Sequence, residues 1–110
     1  MKQIEALTLN TALSELKITG EGVEHKVRST LIKNKIKLSD ILKKFEEYKV
    51  EAAKECGEDK KLFIEIVEEY LNKEVEISLE TISEEQLNLI LDRSELKTAA
   101  VEILFINLIS

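Results

Sequence analysis

The sequence has no proline and no tryptophan, one cysteine, one histidine and only three glycines in 110 residues. A proline-free chain that is 44% apolar and 35% charged favours a folded, helix-rich protein over a disordered one. The single cysteine, Cys56, allows no internal disulfide and no cysteine metal cluster. Its place just before Gly57, at an expected helix end, disfavours the thiolate, so it reads as inert. His25 alone cannot build a zinc site without cysteine partners, and no serine lies in a nucleophile context. There is no Gly-x-Gly-x-x-Gly and no Walker loop, so enzyme activity is not expected and no cofactor is implied. Aromatics are few, Phe45, Tyr48, Phe63, Tyr70 and Phe105, which leaves Leu, Ile and Val to fill the core. The N-terminus lacks the apolar run of a signal peptide, and a lone free thiol suits a reducing compartment. The expectation is an intracellular, cytoplasmic protein without a membrane role.

Charge is abundant but uneven. Residues 1–50 carry ten Lys/Arg against seven Asp/Glu, whereas residues 51–110 carry six against fifteen, for a net charge of −6. A chain polarised in this way can attract a second copy or bind a partner through its acidic half. The plainer alternative is a solvated surface that keeps an apolar-rich protein soluble.

The dominant stretch runs from Gly22 to Gly57 with no glycine between. Val27, Leu31, Leu38, Ile41, Phe45, Tyr48 and Ala52 follow one another at steps of 4, 7, 3, 4, 3 and 4, the spacing of a helix seam. Asn34 occupies the place missing from that seam. A helix from Val23 to Cys56 would run about 50 Å at 1.5 Å per residue. A compact domain of this length has a radius of gyration near about 13 Å, so such a helix outruns it. The helix must break, with Ser39-Asp40 as the plausible point, or the protein is elongated, or packing continues into another copy.

Around this stretch the chain reads as one domain, residues 1–110. Lys2–Leu9 fits a short strand or an early helical turn, and Leu9, Leu13 and Leu16 fit a short helix. Gly20 and Gly22 mark a turn. After Gly57 a helix with Leu62, Phe63, Ile66, Val67, Tyr70 and Leu71 forms an αα-hairpin with the long one. From Glu74 to Leu79 the period falls to two, which predicts a half-buried strand pairing with Lys2–Leu9. Ser83 and Gln86 fit a capping box and Ile82 with Leu87 a hydrophobic staple. Ser94 is the expected cap of a last helix. The predicted fold is mainly α: a long αα-hairpin, two further helices and a small two-stranded sheet.

That last helix is apolar on almost every face, since only Glu102 and Asn107 are polar between Ala99 and Ile109. It is too short for a bilayer, which needs about twenty such residues. It is therefore core or is covered by another chain. Leu104, Phe105, Ile106 and Ile109 are the expected subunit contacts. Asn34 is the expected register-setting residue if it is buried in the seam, a bend that exposes it being the alternative. Lys26, Arg28, Lys33, Lys35 and Lys37 are the only footprint for nucleic acid, though helical spacing spreads them around the axis and no aromatic interleaves with them. Glu47, Glu51 and Glu55 opposite Glu65, Glu68 and Glu69 resemble the acidic pairs by which all-helical nucleotide pyrophosphatases hold magnesium. The lysine–asparagine pair for phosphates and the second acidic motif are missing, so solvated glutamates are the expectation.

Leu13, Leu16, Ile18, Gly20 or Gly22, then Lys26, Arg28, Leu31, Lys33 and Leu38 resemble a pattern in small uncharacterised phage and prophage proteins of Gram-positive bacteria. The resemblance covers about the first 50 residues and, loosely, the acidic segment at Ile77. It implies a phage context and no catalytic residues. The expected function is a non-enzymatic, self-associating or protein-binding factor, accessory or structural. Nucleic-acid binding and metal-dependent nucleotide hydrolysis are the rivals.

Overall fold

The computed structural model describes residues 1–109. Among them are five helices: α1 (Gln3–Glu15), α2 (His25–Cys56), α3 (Lys60–Leu71), α4 (Glu84–Leu91) and α5 (Thr98–Leu108). The mainly helical fold with a long αα-hairpin is as the sequence predicts.

α2 runs its 32 residues without interruption. Ser39-Asp40 does not break it, because both side chains lie on the exposed side and Asp40 pairs with Lys44 one turn on, at 3.2 Å. The conflict between helix length and domain size is resolved by elongation. The molecule measures 52 × 23 × 21 Å with a radius of gyration of 16.2 Å, its long dimension being close to that of α2 itself. Gly57 ends the helix at φ 57°, a left-handed conformation costly for any residue with a Cβ, and its N–H donates to Ala53 O.

One end of the molecule is layered. The first half of α2 (Val27, Leu31, Leu38 and Ile41) packs with Ala6, Leu9, Ala12 and Leu13 of α1, and α5 lies on α1 through Leu104 and Leu108. Leu87 and Ile90 of α4 complete this core. The other end is an arm. There the second half of α2 meets only α3, in which no residue is fully buried. Tyr70 stacks on Tyr48 and Phe45, with ring centroids 4.2 and 5.7 Å apart, and Lys49 sits 4.9 Å above the Phe45 ring. Asp59 caps α3 by accepting from Leu62 N–H at 3.0 Å.

The predicted sheet does not form. Lys2 and Glu74 make a single antiparallel bridge, and from Gln3 onward the N-terminal segment is helical, so no second strand remains to pair. The alternation of residues 74–80 is nevertheless real: Val75, Ile77 and Leu79 face inward and Glu74, Glu76, Ser78 and Glu80 outward. What replaces a partner strand is a series of separate bonds. Gln3 N–H donates to Lys73 O and Val75 N–H to Met1 O; Lys37 Nζ donates to Ser78 O; Ile82 N–H donates to Leu108 O.

Two local signals are redirected. Ser83 Oγ accepts from Gln86 N–H at 3.3 Å, half of the expected capping box. The Gln86 amide turns instead to the loop before α2, accepting from Glu24 N–H at 3.1 Å and donating to Gly22 O at 3.2 Å. Ser94 does not cap α5, which begins after Lys97; it accepts from Lys17 N–H and donates to Ile90 O, tying the α1–α2 loop to α4.

Candidate functional site

Asn34 is fully buried in the α2 seam, the first of the two alternatives for it. Its amide is satisfied within the chain: Nδ2 donates to Glu80 O at 2.8 Å while Oδ1 accepts from Glu80 N–H at 2.9 Å. A primary amide presents a donor and an acceptor side by side, as a neighbouring strand does, so one side chain substitutes for one rung of a ladder. Asn34 does set a register. It is that of residues 74–82 on α2, rather than of one subunit on another.

The four α5 residues divide. Leu104 is fully enclosed and cannot meet a second copy in this conformation. Phe105 and Ile109 are half-buried against the same core, and Ile109 bridges Ile82 of its own chain. Ile106 stands 79% exposed, the one member of the set that projects fully from the surface. α5 is thus partly core: Leu104 and Leu108 are buried on the rest of the chain, while Phe105 and Ile109 stay half-buried and Ile106 exposed.

The basic residues lie where helical spacing puts them, on two flanks of α2. Lys26, Lys33 and Lys37 are on one side and Arg28 and Lys35 on the other, with Ile32 and Ile36 between. Lys37 is engaged by Ser78 O at 2.7 Å. Among the described residues, Lys26, Arg28, Lys33 and Lys35 enter no ion pair. Flanks so far apart around a helix cannot follow one phosphate backbone together.

Glu47, Glu51, Glu55, Glu65, Glu68 and Glu69 are all exposed, and Glu51 pairs with Lys54 at 3.7 Å. Among the described residues no group of three or more His, Cys, Asp or Glu side chains converges where a metal ion could sit. His25 is exposed in the first turn of α2, and Cys56 is half-buried at its last. Among those residues, too, no helix is long and apolar enough to cross a membrane.

A groove of about 620 Å³ opens between α2, Tyr70 and the extended segment, lined by Gln3, Ile36, Lys37, Asp40, Ile41, Lys44 and Val75 to Ile77. Its two lysines are occupied, Lys37 by Ser78 O and Lys44 by Asp40. Gln3 Oε1 has no hydrogen-bond partner there. Besides this acceptor the groove presents aliphatic walls, the Tyr70 ring and the exposed Glu76 carboxylate, with both of its lysines already engaged.

The outer face of α2 was not singled out by the seam pattern. Arg28, Ile32, Ile36, Ser39, Lys43, Glu47, Val50 and Lys54 succeed one another at steps of 4, 4, 3, 4, 4, 3 and 4, a second line opposite the seam. All are exposed except Arg28, which is half-buried, and Ile36 and Val50 reach 66% and 55% exposure. The same three-four count that found the buried line would have found this one.

Compared with models of known protein families, with curated proteins and with solved structures, the chain gives no match.

Proposed function

We propose that the protein is a non-enzymatic interaction protein that associates with copies of itself, an accessory or structural factor, with a phage or prophage origin carried by the resemblance of its first 50 residues. The observation that supports association is the arm. Of the eight large apolar side chains that are most exposed, Leu42, Val50, Leu62 and Ile64 lie on the arm, Ile32 and Ile36 precede it on the outer face of α2, and the remaining two are Ile4 and Ile106. Exposed aliphatics scattered singly are ordinary, whereas their concentration on one two-helix projection fits a contact surface. Burying them on a partner gains about 25 cal/mol for each Å² removed from water.

Mass in solution, by size exclusion with light scattering at two salt concentrations, tests this. Association predicts a mass above the 12.6 kDa of the chain, and a mass of 12.6 kDa at every concentration tried would exclude it.

Nucleic-acid binding is the second reading, favoured by Lys26, Arg28, Lys33 and Lys35 of α2, which enter no ion pair among the described residues. It predicts retention of DNA or RNA that weakens with salt and is lost in Lys33→Glu/Lys35→Glu.

A further inference from the structure

The outer face of α2 changes sign along its length. Residues 25–44 of the helix carry seven Lys/Arg against Asp40 alone, whereas residues 46–56 carry Glu46, Glu47, Glu51 and Glu55 against Lys49 and Lys54, which pair with Glu46 and Glu51. The midpoints of these halves are about 24 Å apart along the helix axis at 1.5 Å per residue. That exceeds the screening length of about 8 Å at physiological salt, so the two halves of one rod do little to neutralise each other. Lys26, Arg28, Lys33, Lys35 and Lys43 enter no ion pair among the described residues.

A second copy laid antiparallel supplies what a single chain cannot. We infer that two copies pair through the outer faces of α2 about a two-fold axis near Leu42, the basic half of each helix against the acidic half of the other. This rests on the self-association proposed above and names its surface. With the axis there, Ile32 and Ile36 of one copy come opposite Val50 of the other, and Lys33 comes opposite Glu51. The two-fold operation sets each flank of the helix against the same flank of its mate. The Arg28 and Lys35 flank therefore meets Glu46 and Lys49, which already pair with each other at 3.1 Å, and the Lys33 flank meets Glu47 and Glu51. A parallel pairing would place lysines on lysines and leave Val50 facing Val50. The symmetric arrangement closes on itself as a dimer and needs no further copies.

The contact is narrow. A strip about 48 Å long and about 10 Å wide covers about 500 Å² on each copy, about 1,000 Å² in all, below the standard size for specific interfaces. Its three aliphatics are few, and Lys43 and Glu47 lie on the contact line among them while the remaining charges lie at the rim. The dimer is accordingly weak and sensitive to salt. Of the other surfaces, the groove beside Tyr70 offers no cation that is not already engaged, and α5 presents Ile106 as its one strongly exposed large apolar side chain.

Charge reversal tests the pairing on the full chain. Lys33→Glu/Lys35→Glu cuts the net charge of residues 25–44 from +6 to +2, and Glu47→Lys/Glu51→Lys takes residues 46–56 from −2 to +2. All four positions are exposed, and helix content by circular dichroism checks that each variant is folded. Each double variant alone is expected to associate at least tenfold more weakly than the unmodified chain. An equimolar mixture of the two, in which the reversed half of one copy faces the reversed half of the other, is expected to recover the dimer. Lys43→Cys in a Cys56→Ser background is expected to cross-link with itself under mild oxidation, since that position lies beside the two-fold axis. An unmodified chain that stays monomeric overturns both the pairing and the self-association beneath it. A dimer that neither double variant weakens, or a mixture that fails to recover it, overturns this surface while leaving self-association standing. Retention of nucleic acid by the unmodified chain, lost in the first variant and not regained in the mixture, assigns the cations to that ligand and overturns the pairing.

Discussion

The two ends of α2 carry one seam and live in different surroundings. From Val27 to Ile41 every seam residue is buried, because α1 lies on the helix and α4 and α5 close the core around it. Beyond Ile41 the seam continues through Phe45, Tyr48 and Ala52 at the same spacing, yet only Ala52 is fully buried, because α3 alone covers it. An identical pattern thus produces a core in one place and a two-helix arm in the other. The pattern reports which side of a helix is covered; the number of layers upon it depends on elements far away in the chain.

Substitutions can break this comparison. The largest effect is expected at the layered end, where Leu38→Ala should cost about 2–5 kcal/mol in chemical denaturation, while Leu62→Ala, the same change on the arm, should cost about 1 kcal/mol or less. Leu38 is fully buried and Leu62 is 42% exposed, so equal costs would deny that the two ends differ. Next comes Asn34→Leu, which fills the same space but leaves Glu80 without its paired amide. The expected loss is about 2 kcal/mol, together with faster exchange of the Glu80 amide proton. Tyr70→Ala removes the stack with Tyr48 and Phe45 and should cost about 1–2 kcal/mol, with the loss of protection confined to α3 and the second half of α2. Smallest is Gln86→Ala, about 1 kcal/mol or less, seen as fraying at Glu24 where α2 begins.

Much of this architecture was legible in the sequence. Gly57 as a terminator and the seam itself each rest on contacts within a few residues. The period of two at residues 74–80 was equally local and held as burial, but the inferred partner strand did not. Pairing is decided by what else is nearby, and the nearest groups are an asparagine amide, a lysine and two helix ends. Gln86 and Ser94 fail in the same way: each has the right type to cap its own helix and is instead used by a loop more than sixty residues away in the chain. On α5, composition announced an apolar helix but could not apportion it. Docking on α1 absorbs Leu104 and Leu108 and leaves Ile106 outside. The outer face of α2 was legible and overlooked, because a second three-four line alternating charge with isoleucine has low hydrophobicity and is masked by the seam opposite.

The arm and the proposed pairing meet in one experiment. Residue-resolved hydrogen exchange would be followed along α2 in dilute, high-salt solution and again in concentrated, low-salt solution. The expected result is that residues 43–56 exchange much faster than residues 27–41 in the first condition and slow at least tenfold in the second, as a second copy stabilises the arm, while the layered end changes least. Exchange in the arm that is the same in both conditions, or as slow as in the layered end throughout, would contradict the account.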